Sequence, residues 1–573
     1  MDIYLKYERS GVLINNINYN IYNENNRRLN ITVYRNSIIN IFKYIKNKYN
    51  LSYLTIILSI MYFDIINHTQ HNLKLDESKY IAIISLKLAM KLTEIKSHKN
   101  KNKDIYKLFE ISKKYEDINF IALELKYIKL MNYTFIFPNI HIFSDFYIDL
   151  LEDITCMQQI DINNLLLFTM YHESIIIYFP SLISISCIFI SYLLIDTINI
   201  LKYITILLNI NNYYTIDDII YCAKIILYTY NTIEPTPYIK IQNINKVYKL
   251  IKSMNKYKMS YTRLIQLYIP DVNNIYIENK MNIIKLNKIK KYNNISIHLV
   301  DYISNKNIVM KCIRKKIYAK NNEISDEFIR EVSILSLINK CNIYDGNNYF
   351  TLLYNIYIDP SYKKGYIYME YIESTLTELI IQNTLSYNNK IKYIHHILSA
   401  CKYLHNIKII HRDIKPDNIL VTKYNTIKLI DFNWSRPLLT DINKYTGGAT
   451  TIYYRAPELY NMANNYNEKC DIWSCGCILV EMLSGNILFD DNSEISILNS
   501  IIDIYGSYFI TSNIFNRKTI SDKNQLINLS NHMNIIYNDN NKNLIIFSRE
   551  MLEPNYKIRA SANKCLKSQI FEQ

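Results

Sequence analysis

Residues 411–418 read His-Arg-Asp-Ile-Lys-Pro-Asp-Asn. An Asp, a Lys and an Asn spaced along one short loop can serve a hydroxyl nucleophile, a phosphoryl group in transfer and a metal ion. Three further groups suit the same chemistry. Val309-Met-Lys311 ends a short apolar run with a cation that could hold phosphates. Phe328-Ile-Arg-Glu331-Val-Ser-Ile-Leu335 has helical apolar spacing and offers Glu331 as a partner for that cation. Lys428-Leu-Ile-Asp-Phe-Asn433 adds a second carboxylate, Asp431.

These groups lie far apart in sequence, so larger elements must bring them together. The chain has 573 residues, too many for one core, and roughly two to four domains are expected. Hydrophobic residues make up 49%, enough for packed interiors. Lys and Arg number 66 against 51 Asp and Glu, a net charge of +15. That balance suits anionic partners or simple solubility. The Lys are scattered, and no basic stripe interleaves with aromatics as a nucleic-acid groove requires. Ile, Asn, Lys and Tyr dominate, while Gly (8) and Pro (10) are scarce, so motif residues that resist this bias are informative.

The ten Cys show no paired framework and the N-terminus shows no signal peptide. A reducing, intracellular compartment is expected, with nucleus and cytoplasm not distinguished. Cys470, Cys475 and Cys477 lack paired metal-ligand spacing and read as core thiols. Residues 174–195 carry no charge and are long enough to cross a bilayer. Tyr178-Phe-Pro-Ser181 interrupts them, however, and Pro suits the first position of a new helix. A buried helix pair is expected there rather than a membrane span.

Residues 35–232 read as helices, with long apolar-periodic runs and almost no glycine. Residues 283–380 shift to short alternations such as Tyr366-Ile-Tyr-Met-Glu-Tyr371, which read as strands. Helical periodicity returns after 385. Glu234-Pro-Thr-Pro237 marks a boundary, 233–282 read as terminal helices plus a linker, and the Asn-rich residues 1–34 as irregular.

The loop at 411–418 resembles the catalytic loop of protein kinases, and six other motifs follow that family's order. Besides Lys311, Glu331 and the Asp-Phe-Asn segment, Tyr454-Arg-Ala-Pro-Glu458 resembles the end of the activation segment. Asp471-Ile-Trp-Ser-Cys-Gly476 resembles the buried helix that follows it, and Arg559 falls where the family pairs an Arg with Glu458. The resemblance covers about 283–571 and implies an α+β bilobal fold. It implies that Asp413 serves the acceptor hydroxyl, that Lys415 stabilises the transferring phosphate, and that Asn418 and Asp431 hold Mg²⁺. Lys311 would hold the ATP phosphates with Glu331 as its partner. Met369, Glu370 and Ile372 would face adenine. Lys415 resembles the Ser/Thr rather than the Tyr class, and His411 is expected to be structural. The phosphate loop is expected at 289–297, between Ile289 and Ile297, and that segment holds no glycine. Backbone N–H groups approach phosphate most easily where no Cβ intervenes. Asn433 stands where glycine is usual.

Ser325-Asp-Glu-Phe-Ile-Arg-Glu331 resembles the Pro-Ser-Thr-Ala-Ile-Arg-Glu helix of cyclin-dependent kinases, matching at Ile329, Arg330 and Glu331. The resemblance places an activating phosphothreonine at Thr446, received by Arg330, Arg412 and Arg436. The helical half fits this reading. Lys87-Leu-Ala-Met-Lys-Leu-Thr-Glu94 and Glu124 to Pro138 resemble cyclin-box segments, and Tyr62-Phe-Asp64 resembles the Tyr-x-Asp of a cyclin's second helix. Lys91 and Glu124 are then the residues that would grip the kinase.

The expected architecture is an all-α tandem cyclin fold (first box 35–140, second repeat 141–232), a linker at 233–282 and a kinase domain at 283–573. The expected function is ATP- and Mg²⁺-dependent transfer to Ser or Thr of a protein substrate, activated by a cyclin–kinase contact within or between chains, with no membrane and no clear nucleic-acid partner. A catalytically silent scaffold, or a cyclin module recruiting a separate kinase, are the alternatives.

Overall fold

A computed structural model describes residues 25–49, 51–69, 75–93, 156–170, 180–195 and 216–232, with short pieces between 109 and 148. It then describes 283–292, 295–303, 309–318, 325–345, 349–358, 364–438, 452–460, 467–506, 522–532 and 539–571. The chain divides into two compact units, one of residues 1–90 and 96–274, the other of 91–95 and 275–573.

The first unit is helical. Its described helices are α1 (Asn25–Tyr49), α2 (Tyr53–Thr69), α3 (Leu75–Thr93, whose end passes into the second unit), α4 (Cys156–Met170), α5 (Pro180–Ile195) and α6 (Ile216–Thr232). The first of these opens at Asn25, so residues 25–34, expected to be irregular, are helical. Pro180 begins α5, where its missing N–H costs no hydrogen bond. This helix packs between α4 and α6 and is buried on all sides, which explains its uncharged sequence. Two of its serines are satisfied within the helix: Ser186 donates to the Leu182 carbonyl and Ser191 to that of Ile188. No helix among the described residues is long and apolar enough to cross a membrane. Arg35 ties α1 to α2 and α4 through two bonds to Asp64 and one to the Met170 carbonyl.

The second unit begins with a five-stranded antiparallel sheet in the order β1-β2-β3-β5-β4. Its strands are β1 (Ile283–Tyr292), β2 (Ile295–Ile303), β3 (Val309–Tyr318), β4 (Leu353–Ile358) and β5 (Lys364–Glu370). Helix α7 (Asp326–Asp345) follows β3 and packs on this sheet. Its start is capped by Ser325, whose Oγ accepts from the Phe328 N–H at 3.2 Å.

Below the sheet lies a helical body. Short α8 (Leu376–Ile381) opens with a capping box from Thr375 and Glu378. Helix α9 (Tyr387–Asn406) leads into β7 (Ile409–Ile410) and the 411–418 loop. Strands β6 (Ser374–Thr375), β8 (Ile419–Val421) and β9 (Ile427–Leu429) form a small sheet, and β10 (Arg436–Pro437) pairs with β7. Helices α10 (Pro457–Tyr460), α11 (Lys469–Ser484), α12 (Glu494–Tyr505), α13 (Asp522–His532), α14 (Asp539–Met551) and α15 (Ala562–Cys565) complete it. At its centre α11 is buried over nearly its whole length and ends at left-handed Gly485. Cys470, Cys475 and Cys477 lie buried on this helix, with their thiols pushed up by burial.

Candidate active site

The strand that carries the candidate phosphate-binding cation runs further than its apolar start suggests. It continues through Cys312, Ile313, Arg314, Lys315, Lys316 and Ile317. Arg314 and Lys316 can continue it because both set their charge over the Tyr366 ring, 5.1 and 6.0 Å from its centroid. Lys315 alternates to the opposite face and is almost wholly buried.

There Lys315, not Lys311, meets Glu331. The Lys315 Nζ donates to Glu331 Oε1 at 2.8 Å and to Asp431 Oδ1 at 3.1 Å. Lys311 lies four residues back along the strand, opposite Asp301, roughly 13 Å away at about 3.3 Å per residue. The expectation for Lys311 is therefore corrected to Lys315.

Two carboxylates share this one ammonium. Burial alone would lower the Lys315 pKa, but Asp431 and Glu331 outweigh it and hold the amine charged. Burial would raise the Asp431 carboxyl, yet the Lys315 ammonium holds it below the usual range. Glu331, fully enclosed, is pushed up to about 7 by burial, against the pull of Lys315.

The catalytic-loop residues meet just below. Lys415 Nζ lies 2.9 Å from Asp413 Oδ2. The Asn418 amide donates to the Asp413 carbonyl at 2.8 Å and to its Oδ2 at 3.0 Å. Asp471 on α11 accepts from the backbone N–H of His411 and of Arg412, at 2.9 and 2.8 Å. Those bonds hold Arg412 in the left-handed region, φ 71°. His405 Nε2 lies 3.0 Å from the same carboxylate, a contact the sequence reading missed. Burial keeps the His411 ring neutral, and its Nε2 meets the Ile430 carbonyl at 3.1 Å.

Asp431 itself is left-handed, φ 69°, which turns its carboxylate toward Lys315. Asn433 is absent from the positive-φ residues, so the position usually held by glycine needs no left-handed conformer here. Its carbonyl accepts from Arg330 Nε at 2.9 Å. Within the same unit, Arg330 Nη1 donates to the Lys91 carbonyl at 3.1 Å. Lys91 and Glu124 are both buried. Arg412 and Arg436 are buried too, and Arg436 Nη1 donates to the Ser435 carbonyl. Thr446 lies outside the described residues.

Met369 and Glu370, expected to face adenine, end β5, and Ile372 lies just beyond. Glu370 N–H donates to the Leu352 carbonyl at 2.9 Å. Lys428, buried in β9, donates to the Phe350 carbonyl at 3.0 Å and stands 3.6 Å from Glu370 Oε2. Ile289 sits at a register shift in β1 and Ile297 in β2, so 289–297 spans their hairpin, of which 293 and 294 lie outside the described residues.

Glu458 and Arg559 complete the pattern lower down. Two parallel bonds of 2.8 Å join them, and Arg559 also donates to the Glu553, Lys469 and Pro554 carbonyls.

A sheet-and-helix unit with this Lys–Glu pair and loop is a protein kinase domain, and residues 296–571 match the protein kinase domain family. Residues 3–135 match the N-terminal domain of cyclins, so one chain carries a cyclin domain and a kinase domain. Among its relatives, protein L673 of Acanthamoeba polyphaga mimivirus, a serine/threonine-protein kinase by its name, is 36% identical over 37% of each chain. Cyclin-dependent kinase-like 2 of Rattus norvegicus is 37% identical over 25% of this chain and 29% of its own. Cell division control protein 2 homolog 3 of Trypanosoma brucei brucei is 35% identical over 31% and 55%. The chain thus spans between 29% and 55% of the length of these relatives.

Proposed function

We propose that this chain is a Ser/Thr protein kinase of cyclin-dependent type, activated by its own cyclin region. The observation that carries the reading is the assembled Lys315–Glu331–Asp431 triad above the Asp413–Lys415–Asn418 loop. A kinase domain uses ATP, and the residues present fit Mg·ATP. Asp431 keeps a third of its side chain open despite its ion pair. Asn418 turns its amide nitrogen to Asp413, which leaves its Oδ1 as a hard oxygen donor. Mg²⁺ held by Asp431 and Asn418 would neutralise phosphate charge.

Lys315 draws the phosphates against β3. Asp413, fixed by Asn418 and Lys415, orients the acceptor hydroxyl and takes its proton. Lys415 stabilises charge on the transferring group. Lys91 and Glu124 are the side chains through which the cyclin region holds helix α7, and hence Glu331, inward. Thr446 is the activating phosphosite, and ATP contacts run along 289–297 and the Met369–Glu370–Ile372 hinge. The second cyclin repeat occupies 141–232, and the setting is intracellular. The test is phosphotransfer by the full chain carrying Lys91→Ala or Glu124→Ala. Loss of activity with retained folding supports the reading, and full activity in both variants removes activation by this route.

The glycine-free 283–303 hairpin favours a second reading, a scaffold that transfers nothing. An Asp413→Asn control separates the two: equal label incorporation by both proteins would leave the scaffold.

A further inference from the structure

Gly365 is one of eight glycines in a chain that otherwise avoids the residue. It is the second residue of β5 and is not among the glycines with positive φ. Its backbone is therefore open to any residue, and the reason for glycine is space. A Cβ at this position would lie 2.5 Å from Phe328 Cε2, 2.7 Å from Cδ2 and 3.0 Å from Cζ. The Phe328 ring fills the place a side chain would take.

The register gives this contact a consequence. Gly365 lies opposite Ile317 on one side and Ile358 on the other. Two residues along the same face is the row of Lys315, Ile367 and Ile356. Rows so spaced lie about 6.7 Å apart. Phe328 and Glu331 are three residues apart on α7, a rise of about 4.5 Å. A helix seated with Phe328 on the first row therefore delivers Glu331 within side-chain reach of the second. Phe328 is itself anchored, since its N–H is the one that caps on Ser325 and its ring is buried. In the helix motif that 325–331 resembles, Ala stands at this position, so the large ring and the missing side chain beneath it form a matched pair.

We propose that Phe328 seated on Gly365 is a positioning device that sets helix α7 on the sheet and holds Glu331 against Lys315. Its effect on rate rests on the kinase reading above, whereas its effect on Lys315 does not. The experiment compares the full chain with Gly365→Leu, the milder Gly365→Ala, and Gly365→Leu combined with Phe328→Ala. Two quantities are read: kcat and KM for ATP on a Ser/Thr peptide, and acylation of Lys315 by an amine-reactive reagent, located by mass spectrometry.

Overpacking by one or more methylenes should shift the helix. Gly365→Leu is expected to lower kcat at least about tenfold and to speed Lys315 acylation. The combined variant should recover most of both, because removing the ring restores room. If Gly365→Leu does not fold, Gly365→Ala must show the same acylation change in smaller degree. Unchanged Lys315 acylation in the folded single variants, or a combined variant no better than Gly365→Leu, overturns the proposal. If the unsubstituted protein transfers no phosphate, the kinase reading falls, and Lys315 acylation still decides the positioning role.

Discussion

Lys315 balances two carboxylates, and the site's electrostatics follow from that ratio. Burial pushes Glu331 up to about 7; the Lys315 ammonium opposes that shift and the Asp431 carboxylate adds to it. The folded Glu331 then binds its proton more tightly than the unfolded one, whose pKa is 4.5. Its ionisation therefore weighs against the fold above about 7, and the penalty disappears as pH falls through 7 toward 4.5. Relative to Glu331→Gln, the unsubstituted protein should lose stability as pH rises from 4.5 through 7, by up to about three-hundredfold in the unfolding constant. Paired thermal melts across that range check the sign, and parallel curves would contradict it. A sharper residue-level expectation separates the two lysines. Lys315→Met should lower kcat/KM for ATP by about a hundredfold or more, whereas Lys311→Met should stay within about twofold. Steady-state kinetics on both variants check it. Glu331, Asp413, Lys415, Asn418 and Asp431 could be read from the sequence because their motifs are local. Lys315 could not, because its strand position depends on where Arg314 and Lys316 put their charge, which is a matter of Tyr366 on another strand.

Elements hold these residues by buried polar contacts more than by propensity. In a chain so rich in Ile and Asn, local preference separates helix from strand poorly, yet the ends of elements still carry Ser325, Thr375, Ser386 and Gly485 as caps. Helix α11 fixes the catalytic loop through Asp471, and the Glu458–Arg559 pair fixes the segment just before α11. Removing one partner of a fully enclosed ion pair strands the other, so Arg559→Leu should destabilise the kinase domain by about 3–5 kcal/mol. Chemical denaturation checks this, and a loss under about 1 kcal/mol would make the pair behave like a surface contact. Gly476 on α11 also has no room, since a Cβ there would meet Leu552 Cγ at 2.7 Å. The sequence marked Asp471 and Arg559 through their motifs. The added support from His405 escaped notice because its partner lies 66 residues away on a separate helix.

At the scale of the whole molecule, one polypeptide carries a helical cyclin domain and a kinase domain. Under the proposed activation, fusion would raise the local concentration of one module around the other to the order of millimolar, and assembly would then not depend on cyclin supply. A helical part followed by a strand-bearing part was legible because periodicity changes along the chain, while the early start of the first helix was hidden by its polar opening, Asn25-Asn-Arg-Arg28. Activation by the cyclin region predicts that Glu124→Ala lowers kcat at least about tenfold with folding intact, which rate measurements and circular dichroism together check. The most direct measurement is transfer of labelled phosphate from Mg·ATP by the full chain to Ser, Thr and Tyr peptides, with Asp413→Asn as control. The account predicts label on Ser or Thr, none on Tyr, and loss in the control. Label at control level on every peptide would contradict it.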